Sequence, residues 1–114
     1  AEYIVTQMFF DNKKYFDFVK SCREIGIEVP IIPGIKPISR LNDLILLPQT
    51  FYIDIPEDLE KELNKCKNDK DAFQVGVEWG IMQSKELKKN NVPALHYFTI
   101  GLSESVKRIA KEVF

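Results

Sequence analysis

The sequence predicts an α/β segment with parallel strands, a piece of something larger than itself. Three observations predict it. Apolar runs alternate with stretches of helical period, the runs are apolar on both faces, and 114 residues hold only three of them. Strands separated by helices pair in parallel through right-handed crossovers. Three parallel strands buried on both faces would leave two open edges. A closed eight-stranded barrel takes roughly 250 residues, so this chain would supply its last third or more. Residues 1–114 read as one segment, without internal repeat, linker or low-complexity stretch.

The elements follow in order. Tyr3 to Phe10, bounded by Asp11, is a strand read as buried on both faces, with Gln7 inside it. It starts close behind Ala1, with no initiator Met or lead-in, as expected of a piece of a longer protein. From 12 to 25 the period becomes helical: Tyr15, Phe18 or Val19, Cys22 and Ile25 on one face, a cap at Asp11 or Asn12, and a stop at Gly26. Val29 to Ile35 is a short buried strand running into a Pro33-Gly34 loop. Ser39 is expected to cap a short helix with Leu41, Leu44 and Ile45 inward, stopped by Pro48. Pro56 opens a helix over Glu57 to about Lys65. A longer helix runs from about Asp69 to Asn90, with Phe73, Val77, Ile81 and Leu87 on one face and Trp79 and Met82 widening it. Gly76 and Gly80, four residues apart, are expected to permit close packing. Ala94 to Ile100 is the third strand; Gly101 turns the chain, Ser103 caps, and Val106, Ile109, Ala110 and Val113 form a closing amphipathic helix.

Composition excludes several function classes. The net charge of −1 gives no basic field of the kind nucleic-acid binding needs. The lysine-rich run 85–89 suits a solvated helix end near the negative pole of the dipole. No apolar run approaches the roughly 20 residues of a membrane span. Two cysteines, Cys22 and Cys66, without CxxC spacing and with a single His96, make neither a zinc site nor a disulfide scaffold. Reduced cysteines and a cytoplasmic address are the expectation.

In parallel α/β architectures ligands meet the C-terminal ends of the strands. Gln7 lies near that end of the first strand, where its amide either faces a ligand or is a satisfied core group; a buried amide without partners would be costly. His96 begins its strand, away from the ligand end, which favours a structural role. The carboxylates of Glu57, Asp58, Glu60 and Glu62 suit a helix start. No Gly-rich phosphate loop, GxSxG elbow or Cys-His pairing follows a strand.

Three runs carry a resemblance. Ile4-Val5-Thr6-Gln7-Met8-Phe9-Phe10-Asp11 resembles the "ITQ-F-F" strand of methylenetetrahydrofolate reductases; Ile31 to Ile38 resembles that family's "I-PGI-PI" strand and loop; Leu95-His96-Tyr97-Phe98-Thr99 is similar to its "LHFYT" strand. They occur in the family's order, over essentially the whole chain. The resemblance implies the last three βα units of a TIM (β/α)8 barrel. It also implies a flavoprotein that takes hydride from NADH or NADPH onto FAD and passes it to 5,10-methylenetetrahydrofolate, forming 5-methyltetrahydrofolate for one-carbon metabolism and methionine biosynthesis.

By the same resemblance Gln7 stands where the family's strand glutamine contacts folate and nicotinamide. A second family glutamine falls at Asp43, a ring-packing aromatic at Leu47, a lining apolar residue at Ile100 and an arginine at Leu102. The family's catalytic glutamate and most of its FAD-binding groups precede this segment. No catalytic, FAD-binding or metal-binding residue is therefore expected in it. The segment alone is expected to be inactive, to hold FAD weakly or not at all, and to self-associate through its open edges, or to form a homo-oligomer in the enzyme. The rival expectation is a non-catalytic interaction or assembly domain derived from the same barrel.

Overall fold

Each apolar run of the sequence pairs with the next in parallel, and the helical stretches cross over between them. The computed structural model describes residues 2–51, 53–98 and 104–114. The order is β1 (Ile4–Met8), α1 (Asn12–Glu24), β2 (Ile31–Ile35), α2 (Asp43–Phe51), α3 (Glu57–Asn64), α4 (Asp69–Lys89), β3 (His96–Tyr97) and α5 (Glu104–Val113). The strands stand in the order β1-β2-β3.

Two layers of core hold the sheet in place. On one side Ile31 and Ile35 of β2 meet Tyr15 and Cys22 of α1 and Leu87 of α4. On the other, Met8, Phe10 and Ile38 at the strand ends pack with Leu47, Leu59, Leu63 and Ala72 from α2, α3 and α4. A third cluster, Val77 with Ile109 and Val113, fastens α5 to α4. The glycine pair on α4 does what its spacing predicts. A Cβ at Gly76 would overlap the Ile38 backbone, and one at Gly80 would stand 2.5 Å from Cδ1 of Ile109.

Helix ends follow their sequence signals with few departures. Asp11 caps α1 by accepting from Lys13 N at 3.0 Å, and Gly26 supplies φ +90° after it. Asn68 caps α4 by accepting from Asp71 N at 2.9 Å. Pro56 is the residue before α3 and not its first turn.

Several expectations are corrected. β1 is not buried on both faces: Val5 and Gln7 are exposed, and β1 stands at the edge of the sheet. Pro33 and Gly34 stay in β2 instead of leaving it as a loop. α2 begins at Asp43 and runs through Pro48 to Phe51. Its lead-in is a tight turn of i to i+3 bonds from Arg40 to Ile45, which rotates the inward face. Leu47 points in and Ile45 is 60% exposed. On α1, Val19 is half-buried while Phe18 and Ile25 are exposed; on α4, Met82 faces out because Gln83, not Met82, meets the β1 end. The third strand is shorter than predicted within the described residues, pairing at His96 and Tyr97, with Phe98 N donating to Ile35 O at 2.8 Å. Its expected end at Thr99–Ile100, and the turn and cap at Gly101 and Ser103, lie outside the described residues.

Candidate functional site

The C-terminal end of β1 is built around an irregularity. Val5 pairs with Ile32 and Met8 with Gly34, so Thr6 and Gln7 together oppose Pro33. Pro33 has no N–H to give the ladder, and the strand bulges there. The side chain of Thr6 repairs the pairing, its Oγ1 accepting from Gly34 N at 3.0 Å. A bulge redirects the side chain it carries, and here that side chain is Gln7.

Gln7 is exposed and lines an open groove of about 530 Å³ along β1 and the start of α1. Val5, Met8, Phe18 and Ile53 contribute apolar walls. The charged groups on it are Asp11, Lys14 and Asp54, and Lys14 already pairs with Asp54 at 3.6 Å. A mostly apolar groove with a carboxamide inside it suits a flat heteroaromatic ring with a mixed donor and acceptor edge.

The backbone just beyond Gln7 is held from α4. Trp79 Nε1 donates to Phe10 O at 2.8 Å, and Gln83 Nε2 donates to Phe9 O at 3.0 Å and to Asn12 Oδ1 at 3.2 Å. Asn12 Nδ2 in turn donates to Gln83 O at 3.1 Å and to Glu86 Oε1 at 2.8 Å.

The other expected site residues fall elsewhere. Asp43 is 3% exposed, and its Oδ2 accepts from Ser39 N at 2.9 Å, Ser39 Oγ at 3.3 Å and Arg40 N at 3.2 Å. It closes the turn into α2 as the acid of a capping box does, so Ser39 is a donor to Asp43 and not the helix cap. Leu47, one helical turn on, is 3% exposed inside the strand-end core. Neither residue borders the groove of Gln7. Ile100 and Leu102 lie outside the described residues. His96 is exposed at the start of β3, its ring edge-on to Phe98 at 4.7 Å between centroids.

Sequence reasoning missed two features. Lys36, directly after β2, is buried, its Nζ donating to Pro37 O at 3.0 Å. Burial holds its pKa below the usual lysine value, partly offset by Asp43, with Arg40 adding to the depression. The other is the Trp79–Gln83 pair, whose signal was a polar residue one turn after an aromatic on an inward helix face. Among the described residues no three His, Cys, Asp or Glu side chains gather as a metal site, and no helix is long and apolar enough to cross a membrane.

Comparison with known proteins decides the family. The family model for methylenetetrahydrofolate reductase matches residues 1–113. The chain belongs to the methylenetetrahydrofolate reductase family. A Caenorhabditis elegans protein named as a probable methylenetetrahydrofolate reductase (NADPH) is 35% identical over 115 residues, 99% of this chain and 17% of its own length. Methylenetetrahydrofolate reductase (NADH) 1 of Zea mays is 32% identical over 106 residues, 92% of this chain and 18% of the relative. Methylenetetrahydrofolate reductase 1 of Schizosaccharomyces pombe is 32% identical over 114 residues, 99% and 19% respectively. The chain thus spans less than a fifth of the length of these relatives. In fold it is similar to an uncharacterized protein from Clostridium thermocellum that binds two copies of 5-methyl-5,6,7,8-tetrahydrofolic acid. The TM-score is 0.56 at 17% identity, covering 99% of this chain and 42% of that one. The three runs that resemble the methylenetetrahydrofolate reductase motifs fall on the three strands of the sheet.

Proposed function

We propose that this chain is one segment, the last three βα units, of the TIM barrel of a flavin-dependent 5,10-methylenetetrahydrofolate reductase, and that it supplies part of the face on which folate and NAD(P)H bind. The observation that carries the reading is Gln7, presented by the β1 bulge into an apolar groove at the strand's C-terminal end. A carboxamide there donates and accepts at once, as the edge of a pterin or a nicotinamide amide requires. The fold shared with a protein that binds 5-methyltetrahydrofolate supports the same ligand class.

The flavin supplies hydride transfer between NAD(P)H and methylenetetrahydrofolate. The groove at Gln7 does not fit the flavin diphosphate, since two acids and one paired lysine border it. The FAD-holding and catalytic groups are therefore assigned to parts of the enzyme beyond these 114 residues, and the 114-residue chain alone is inactive. Within the chain the residues bind and orient: Gln7 fixes the ring edge, Val5 and Phe18 exclude water beside it, and the exposed edge of β1 takes the neighbouring barrel strand. In the isolated chain that edge drives self-association. By the family resemblance Ile100 and Leu102 belong to the same substrate-contacting set, and Asp43 and Leu47 act on substrate through the shape of the β2–α2 turn.

The test is made on the full-length gene product, assayed with NADH and NADPH, flavin and methylenetetrahydrofolate. Gln7→Ala is expected to raise the folate KM about tenfold, the loss of one or two buried hydrogen bonds. No turnover with either nucleotide, or a Gln7→Ala enzyme indistinguishable from wild type, overturns the reading. A second reading, a non-catalytic assembly domain, is favoured by the engagement of Asp43 with Ser39 and Arg40 and the burial of Leu47. A gene product that binds a protein partner but neither folate nor nicotinamide would support it.

A further inference from the structure

We propose that Trp79 and Gln83 are positioning residues for the substrate-facing side chain of Gln7; this rests on the reading of Gln7 given above. Two consecutive carbonyls, Phe9 and Phe10, follow directly on β1, and both side chains are buried, at 8% and 2% exposure. Carbonyls in such a place must find donors inside the protein. They find them on α4, one helical turn apart: Gln83 Nε2 on Phe9 O at 3.0 Å and Trp79 Nε1 on Phe10 O at 2.8 Å. The spacing of 79 and 83 is the i, i+4 pair of one helix face, so a rigid rod holds two successive peptide planes.

Asn12 completes the arrangement. Its amide bridges Gln83 O and Glu86 Oε1 while its Oδ1 accepts from Gln83 Nε2. The first residue of α1 is thereby tied to the same turn of α4. Gln83 itself is 2% exposed, so its rotamer is fixed by packing as well as by bonds.

The consequence falls on Gln7. On its N-terminal side the strand is pinned where Thr6 Oγ1 accepts from Gly34 N. On its C-terminal side Met8 pairs with Gly34, and the clamped Phe9 and Phe10 carbonyls follow directly. Gln7 lies inside the bulge, between Thr6 and the ladder position Met8. The course of the backbone that carries Gln7 is thus set by α4 as well as by the sheet. Trp79 and Gln83 do not border the groove that Gln7 lines but an adjoining hollow that shares Phe10, Asp11 and Pro56 with it, and they reach Gln7 through the β1 backbone.

The test combines a mutant cycle with amide exchange on the full-length gene product, with 5-methyltetrahydrofolate as the probe. Gln83→Met keeps length and removes the donor; Trp79→Phe keeps the ring and removes the N–H, and serves if the first variant does not fold. Each is expected to weaken binding about five- to tenfold, the effect of one lost hydrogen bond. In a Gln7→Ala background either is expected to change the Kd by less than about twofold, because a group acting through Gln7 has nothing left to position. Amide exchange is expected to accelerate at residues 8–12 and not in α5. An unchanged Kd in both variants, or full additivity with Gln7→Ala, overturns the proposal. If Gln7→Ala by itself leaves binding intact, the substrate-face reading falls, and the exchange data alone then report whether the clamp orders the β1 end.

Discussion

Gly76→Ala tests how α4 is seated on the sheet, and through it how the site is shaped. A methyl added at Gly76 would overlap the carbonyl oxygen of Ile38 and stand 2.7 Å from its carbonyl carbon and 3.0 Å from its Cα. Ordinary contact begins near 3.4 Å, so the carbon alone demands a withdrawal of about 0.7 Å, and the oxygen more. Every atom in the way is backbone, and the Ile38 side chain is 1% exposed in the strand-end core, so no rotamer change relieves the overlap. Overpacking of this kind costs about 1–3 kcal/mol, and a rigid backbone obstacle places it at the upper end. Replacing glycine by alanine inside a helix returns about 1 kcal/mol. The net expectation is a loss of about 2 kcal/mol, or roughly 8 °C in Tm for a domain of this size. Gly80→Ala is the control. Its methyl would meet Cδ1 of Ile109 at 2.5 Å, the end of a side chain that can turn, so the propensity gain nearly offsets the clash and stability should stay within about 1 kcal/mol. Urea unfolding followed by circular dichroism measures both. Equal stabilities for the two variants, or a Gly76→Ala protein as stable as wild type, would refute the claim that α4 is locked against the Ile38 backbone.

Two further outcomes concern the turn after β2. Lys36→Met is expected to raise stability at pH 7, because the charged form of Lys36 is the one that burial penalises. The unfolded chain binds that proton more tightly than the folded one, so wild-type stability climbs as pH rises from the lowered folded pKa toward the ordinary lysine value. The advantage of the variant should therefore shrink over that interval, and an advantage independent of pH in thermal melts would contradict the assignment. Leu47→Ala should cost about 3 kcal/mol in chemical denaturation, since Leu47 is 3% exposed among Met8, Phe10 and Leu59. A loss below about 1 kcal/mol would place Leu47 at a surface that a ligand could reach.

The alternation of apolar runs and helical periods was enough to read the parallel order, and α4 was legible almost to the residue because Asn68 and Asn90 bracket a long regular pattern. α2 was not, because a proline read as a stop sits mid-helix. The turn that starts α2 is closed by Asp43, whose local bonds to Ser39 and Arg40 displace Ser39 from the cap that its residue type suggests. The exposure of Val5 and Gln7 was equally hidden, since an edge strand and a central one can carry the same apolar run. Gln7 itself was legible by type and position, a polar side chain near the ligand end of an apolar strand. What fixes it was not, because Trp79 and Gln83 lie about seventy residues away in sequence and only the fold brings them to it.

The bulge explains why two sequence runs that look like separate signatures belong to one device. Pro33 withholds the N–H that a regular ladder would use opposite Thr6 and Gln7, which makes the extra residue of β1 tolerable. Gly34 then lets the strands close again: a Cβ there would lie 2.7 Å from Thr6 O and 2.5 Å from the Phe98 ring, so β1, β2 and the residue after β3 all meet at that one position. Thr6 answers with its hydroxyl, taking the Gly34 N–H that the irregular register leaves over. A substitution at Pro33, Gly34 or Thr6 therefore disturbs the same few ångströms of backbone as a change at Trp79 or Gln83, from the opposite side. The proline and glycine of β2 act on chemistry they do not touch: they determine which way a glutamine on the neighbouring strand points.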